Sequence, residues 1–301
     1  MKRIFPSSAL SVREFFLIVA RHIYELLTPR ERDISMLYFN VRASKAKIPN
    51  RVYQTWETSL LPSLLAWEIR RIRRLNPDYS FVFSDAEARA EYMEKHYSGH
   101  PILQVFRDLK LRTAQVDVWR YCILYREGGV YCDIDSALSV PLHQVISDEM
   151  PELISFERNV WNEAFDPAYA EKGVFMTSPP AAARAMLDYP DNVMLNWMLC
   201  FEKGHPILKE TIDLIVRHFP FFQEKRFPAA WQAVTHCTGP LALTQATWRW
   251  LAQGGRRPYQ CGIDFMGKGI LTLPGAGRRH TANIPHYIGM RDVVIACSGD
   301  R

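Results

Sequence analysis

The sequence has no CxxC pair, no zinc-finger spacing and no apolar run approaching the ~20 residues that a membrane-spanning helix needs. Six cysteines (Cys122, Cys132, Cys200, Cys237, Cys261 and Cys297) lie scattered, mostly among apolar neighbours. An even count leaves disulfides open, but this scatter predicts buried free thiols and a reducing cytoplasm. The amino-terminal apolar run, Phe15-Phe16-Leu17-Ile18-Val19-Ala20, is short and lacks a small-residue cleavage site, which argues against a signal peptide. It falls within an amphipathic helix predicted over residues 12–27, either packed on the domain or resting on the inner face of a membrane.

A strong excess of one charge sign is also lacking. The formal net charge is +5, with no dense basic tail and no aromatic strand of the RNA-binding kind, so nucleic acid is not an expected partner. The excess suits an anionic substrate or an anionic membrane surface. There are no repeats and no low-complexity stretches. Hydrophobic residues make up 48% and charged residues 23%, the balance of a globular chain with ample core.

Residues 30–47 are charged and read as a connection, so the expected division is a helical segment over 1–47 and one domain over 48–301. Within that domain strand-like and helix-like pieces alternate. Residues 51–56 and 79–84 are β-prone, whereas 64–75, 85–96 and 114–126 have helical spacing, and Asp85 is placed to cap its helix. Residues 130–135 then read as a strand. Such alternation predicts an α/β domain with a mostly parallel central sheet. Further on, 153–156 and 173–176 read as strands, 206–219 and 239–252 as helices, and 254–286 as loops.

The informative stretch is Gly128-Gly129-Val130-Tyr131-Cys132-Asp133-Ile134-Asp135. On a strand, residues two apart share a face, so Asp133 and Asp135 are expected to project together. Two carboxylates so placed make a hard oxygen site for Mn²⁺ or Mg²⁺, with positions left for water and phosphate. A divalent cation there suits breakage of a sugar–diphosphate bond, because it stabilises charge on the departing diphosphate. Gly128 and Gly129, lacking side chains, would let the chain turn sharply and admit a bulky donor. On the preceding helix Asp117 and Arg120 are three apart and share a face. They read either as a structural ion pair or as a pair that binds the sugar.

At this point the residues resemble a known family. Gln115-Val116-Asp117-Val118-Trp119-Arg120-Tyr121, with Gly128-Gly129-Val130-Tyr131 and Asp133-Ile134-Asp135, is similar to the signature of glycosyltransferase family 32. Ile48 to Trp56, Trp67 with Asn76-Pro77-Asp78-Tyr79, Asn196, Gly204-His205-Pro206, and Thr238-Gly239-Pro240 with Leu243-Thr244 resemble further blocks. The resemblance implies a GT-A-type nucleotide-binding sandwich and a retaining transfer from a UDP- or GDP-sugar donor to a glycan or glycolipid acceptor, in surface polysaccharide or lipopolysaccharide synthesis. It implies Asp135 as main metal ligand, with Asp133 in contact with ribose, sugar or the metal shell. Asp117 and Arg120 would hold the donor sugar, Gln54, Thr55 and Trp56 would line the nucleotide pocket, and His286 is the counterpart of a closing, metal-reaching histidine. The Gly-Ser-Trp-like segment that follows such a histidine is missing here.

Other features have plainer readings beside sharper ones. Arg70, Arg71, Arg73 and Arg74 read as a solvated helix face or an anionic-membrane contact. Arg256-Arg257 and Arg278-Arg279-His280 are placed to meet phosphate or solvent. Trp161-Asn162-Glu163 and Phe165-Asp166 read as an acceptor-facing loop, with core packing the plainer reading of Trp161. An Asp-nucleophile phosphotransfer hydrolase is the first alternative, opposed by the lack of a downstream Gly-Asp-x-x-x-Asp cluster; Gly299-Asp300 is terminal. The second is a non-catalytic carbohydrate- or membrane-binding module, opposed by the intact Asp117, Arg120, Asp133 and Asp135.

Overall fold

The computed structural model describes residues 31–34, 45–169, 175–272 and 289–296. The expected helix at 12–27, His286, Arg278-Arg279-His280 and Gly299-Asp300 lie outside them. Among the described residues no helix is long and apolar enough to cross a membrane.

Strand β1 (Glu31–Asp33) pairs antiparallel with β3 (Leu60–Pro62), and Ile34 is buried with Leu61, Leu64 and Leu65. The charged stretch expected to be a connection thus contributes a strand to the body, because one apolar residue at its end finds a core. Strand β2 (Arg51–Thr55) leads through β3 into helix α1 (Ser63–Leu75). Strand β4 (Ser80–Ser84) leads into α2 (Ala86–Tyr97), where the Asp85 carboxylate accepts from Ala88 N at 2.9 Å, as expected of a cap. Helices α3 (Pro101–Asp108) and α4 (Arg112–Glu127) precede β5 (Gly129–Cys132), which is followed by β6 (Ser136–Leu138).

The later elements are β7 (Glu152–Val160), the short helices α5 (Trp161–Ala164) and α6 (Ala181–Met186), β8 (Asn192–Met194) and β9 (Met198–Phe201). Then come α7 (Pro206–Phe222), β10 (Arg226–Ala229), α8 (Ala230–Cys237), α9 (Pro240–Ala252), β11 (Gln260–Ile263), β12 (Ile270–Thr272) and β13 (Arg291–Val294). The segment expected to be loops over 254–286 therefore holds two strands, β11 on β7 and β12 on β6. Phe175 and Met176, expected in a strand, are outside regular structure.

The central sheet has seven strands in the order β11-β7-β9-β5-β2-β4, with β8 added on β7. β11, β7, β5, β2 and β4 run one way, and β9 runs against both of its neighbours. The fold is thus the expected α/β, GT-A-like sandwich around a mostly parallel sheet, with reversed strands inserted. Alternation supplies two cores. Tyr53, Tyr131, Leu199 and Phe156 join the helical layer of α4, α7 and α9, whereas Val52, Val130, Cys132 and Cys200 face the layer that includes β6. Cys122, Cys132, Cys200, Cys237 and Cys261 are buried free thiols, as expected.

Candidate donor site

The acidic triplet is not on a strand. β5 ends at Cys132, and Ser136 N donates to Asp133 O at 2.9 Å, closing a turn that carries Ile134 and Asp135. Asp133 N donates to Trp197 O at 2.8 Å, which ties the turn to the chain just ahead of β9. The strand expectation failed because a short apolar run bounded by aspartates shows the same alternation whether the last residues extend or turn; Asp favours the turn. The two carboxylates remain close neighbours by virtue of the turn rather than the pleat.

Helix α4 brings the remaining charged groups. Arg120 Nη2 lies 3.4 Å from Asp117 Oδ1 and 3.4 Å from Asp133 Oδ1, so one guanidinium bridges helix and turn. Its Nη1 donates to Asn196 O at 2.5 Å, and its Cζ stands 4.4 Å from the centre of the Tyr131 ring. The Tyr131 hydroxyl donates to Asp133 Oδ1 at 2.6 Å. Asp117, 2% exposed, accepts from Asn196 Nδ2 at 3.2 Å and Thr238 Oγ1 at 3.0 Å. The Asn196 and Thr238 blocks, far apart in sequence, thus close on one carboxylate. Thr244 Oγ1 accepts from Met194 N at 2.8 Å, fastening α9 to β8 beside them.

These placements set the electrostatics. Burial pushes the Asp117 carboxyl up to about 6, against the pull of Arg120 and Thr238. Burial, then the Asp133 charge, pushes Asp135 up to about 7. A desolvated carboxylate repelled by its neighbour fits a hard divalent cation, which would offset both the burial and the repulsion. Among the described residues no group of three or more His, Cys, Asp or Glu converges on one point. Asp133 and Asp135 are the carboxylates the turn offers to such a cation, and His286 lies outside the described residues.

The two glycines at the junction of α4 and β5 are needed for close backbone packing. Gly128 (φ +67°) ends α4, and a Cβ there would lie 2.6 Å from Lys203 N. At Gly129 (φ +119°) a Cβ would lie 2.6 Å from Arg51 O. The sharp turn is as expected, and the space a Cβ would take at each position is filled by the chain's own backbone. Of the expected nucleotide-pocket residues, Gln54 is fully buried with its side chain against the Cys132 thiol, and the Thr55 hydroxyl donates to Ser84 O at 2.5 Å. Both hold the sheet edge. Trp56 is half-buried and keeps open surface beyond the end of β2. Because Tyr53 pairs with Tyr131, β2 and β5 leave the sheet at the same edge, which brings Trp56 and the acidic turn to one side.

Several other expectations are corrected. Trp161 is 1% exposed, stacked on Phe165 at 4.8 Å and packed on Trp248 at 4.6 Å, so these two rings build core, whereas Asn162 and Glu163 beside them are exposed. Arg256 pairs with buried Glu152, which also binds His205 Nε2 at 2.6 Å, and Arg257 pairs with Asp188. Along α1, Arg71 binds Glu68 and Leu138 O, and Arg73 lies 5.8 Å over Phe81, leaving Arg74 as the exposed one of the four.

Sequence reasoning missed Arg89, Glu57 and Glu157. Arg89 occupies the buried i, i+4, i+8 stripe with Met93 and Tyr97, so an arginine on an apolar face was the available signal. Glu157, near the carboxyl end of β7, is pushed up to about 7 by burial, with Asn159 as hydrogen-bond partner at 2.9 Å. It carries no sequence signal that sets it apart from a surface glutamate.

With this geometry in view, comparisons with known proteins bear on the same residues. The family described as "Glycosyltransferase sugar-binding region containing DXD motif" matches residues 62–152. The chain is 28% identical over 211 residues to inositol phosphoceramide mannosyltransferase 3 of Schizosaccharomyces pombe, covering 68% of the chain and 46% of that protein. It is 24% identical over 189 residues to the initiation-specific alpha-1,6-mannosyltransferase of Saccharomyces cerevisiae, covering 56% and 39%. The chain spans less than half the length of these relatives. Among solved structures, the PaToxG glycosyltransferase aligns over 80% of each chain with a TM-score of 0.44 and 17% identity.

Proposed function

We propose, for a chain that belongs to the DXD-containing glycosyltransferases of the family 32 type, a metal-dependent hexosyl transfer from a nucleotide sugar to a glycan or glycolipid hydroxyl, with retention at the anomeric carbon. The observation that carries the reading is the Arg120 bridge, which fixes Asp117 and Asp133 on one buried cation beside Asp135. Asp133 and Asp135 form the cation site, with Asp135 as the main ligand. Mn²⁺ or Mg²⁺ held there supplies charge stabilisation to the departing diphosphate. Arg120 and Asp117 orient the sugar: at fixed separation, the guanidinium donates to one hydroxyl and the carboxylate accepts from its neighbour. Trp56 offers the base an apolar ring at the same sheet edge. The relatives' names favour mannose as the hexose and a glycan or an inositol phosphoceramide-like glycolipid as acceptor class. Synthesis of surface polysaccharide or lipopolysaccharide is a setting that fits such a transfer.

The experiment is a melting-temperature screen of UDP and GDP, each with and without Mn²⁺, followed by hydrolysis of the matching nucleotide sugars by wild type and Asp135→Ala. A metal-dependent rise with one nucleotide, and turnover lost in the variant, is the expected result. No stabilisation by either nucleotide and no hydrolysis of any donor would sink the reading.

A further inference from the structure

Glu57 directly follows Trp56, in the loop between β2 and β3. Its two carboxylate oxygens are divided between arginines of different helices. Oε1 receives Arg89 Nη2 at 3.1 Å, and Oε2 receives Arg112 Nη1 at 3.0 Å. Arg89, in α2, is 2% exposed and also donates to Thr55 Oγ1 at 2.5 Å and to Trp56 O at 2.9 Å. One buried guanidinium therefore fastens three consecutive residues of the loop that carries Trp56. A buried arginine is costly without an anion, and Glu57 is the anion that this one faces.

The second arginine gives the arrangement its reach. Arg112 is the first residue of α4, the helix that carries Asp117 and Arg120. A cation at a helix amino terminus opposes the helix dipole, and α4 has neither a side-chain cap nor an acidic residue in its first turn. Glu57 supplies the negative charge that this terminus lacks in its own sequence. The Arg112 side chain is 63% exposed and that of Glu57 24%, so a surface ion pair sits on top of a buried one.

We propose that Glu57 is a positioning residue that locks the Trp56 loop to α4, so that the nucleotide and sugar ends of the donor are held in one register. This rests on the donor-site reading above. Thr55 and Trp56 are fixed from one side by Arg89, and α4 is fixed from the other by Arg112. Breaking the outer pair frees the loop relative to Asp117 and Arg120 while leaving the core in place.

The test is calorimetric titration of UDP and of GDP, each with Mn²⁺, into the full chain. Wild type, Arg112→Gln, Arg112→Lys and Glu57→Gln are compared, and the melting temperature of each is recorded. Arg112→Gln is expected to weaken the preferred nucleotide roughly threefold with an unchanged melting temperature, as suits an exposed pair. Arg112→Lys restores most of that loss. Glu57→Gln, which also strips Arg89 of its anion, is expected to weaken binding about tenfold and to lower the melting temperature. Nucleotide affinity unchanged in Arg112→Gln would overturn the proposal even if Glu57→Gln failed to fold. A wild type that binds neither nucleotide defeats the donor-site reading itself, a different result from a wild type that binds and variants that do not respond.

Discussion

Arg120 Nη2 stands 3.4 Å from Asp133 Oδ1, an ion pair that joins the middle of α4 to the acidic turn after β5. The same nitrogen is 3.4 Å from Asp117 Oδ1, so two carboxylates depend on one cation. Replacing Arg120 with Met leaves Asp117, 2% exposed, without its charge partner. Removing one member of a buried pair typically costs about 3–5 kcal/mol. Arg120→Met is expected to unfold at lower urea concentration by that margin and to lose donor hydrolysis. The double variant Arg120→Met/Asp117→Asn should recover part of the stability and none of the activity. A double-variant loss equal to the sum of the losses of Arg120→Met and Asp117→Asn measured singly would show that the pair is not coupled.

Tyr131 holds one oxygen of Asp133 through a 2.6 Å hydrogen bond, and its ring lies under Arg120. Tyr131→Phe keeps the ring and deletes the hydroxyl. A hydrogen bond to a charged group is worth about 1.5–3 kcal/mol. The expected outcome is a roughly tenfold or greater loss of Mn²⁺-dependent nucleotide affinity with the fold intact, read by titration calorimetry and circular dichroism. Unaltered affinity would place Asp133 under the control of Arg120 alone.

Much of the frame was legible from residue pattern. β2, α1, β4, α2 and α4 announce themselves by β-prone runs, helical spacing, the Asp85 cap and the Gly128 stop. β9, the strand that lies between β5 and β7, went unread, because Met198-Leu199-Cys200-Phe201 is a short apolar run with no alternation to identify it. The charged members of the site were legible because Asp117, Arg120, Asp133 and Asp135 fall within twenty residues of sequence. What fixes them was not: Asn196 and Thr238 reach Asp117 across 79 and 121 residues, distances that only the folded chain closes. The strand assigned to the triplet was wrong for a local reason, since the hydrogen bond that makes the turn runs between Ser136 and Asp133.

Gly129 separates two accounts of the glycine pair. A methyl group there would lie 2.6 Å from Arg51 O, at a φ of +119° that side chains rarely adopt. Strand packing then predicts that Gly129→Ala destabilises the protein by about 3 kcal/mol, combining backbone strain with a clash. Nucleotide affinity per folded molecule should not change. A variant of normal stability with weakened nucleotide binding would instead return Gly129 to the donor pocket.

His218, buried in α7, links stability to pH. It is 1% exposed, lies 4.2 Å from the Phe175 ring centre, and neither ring nitrogen has a hydrogen-bond partner among the described residues. Burial, helped by Arg249 and Arg217, pulls it down from 6.5 to about 4. The unfolded chain takes up this proton near pH 6.5 and the folded chain does not, so the stability present above pH 6.5 is lost as pH falls towards 4. The linked loss reaches about 3 kcal/mol at the lower end. His218→Phe removes both the titration and the unpaired nitrogens. It is therefore expected to be more stable than wild type at every pH, and the gap should widen between pH 6.5 and pH 4 in urea denaturation. A gap that stays constant over that range would mean that His218 is protonated in the folded chain as readily as in the unfolded one.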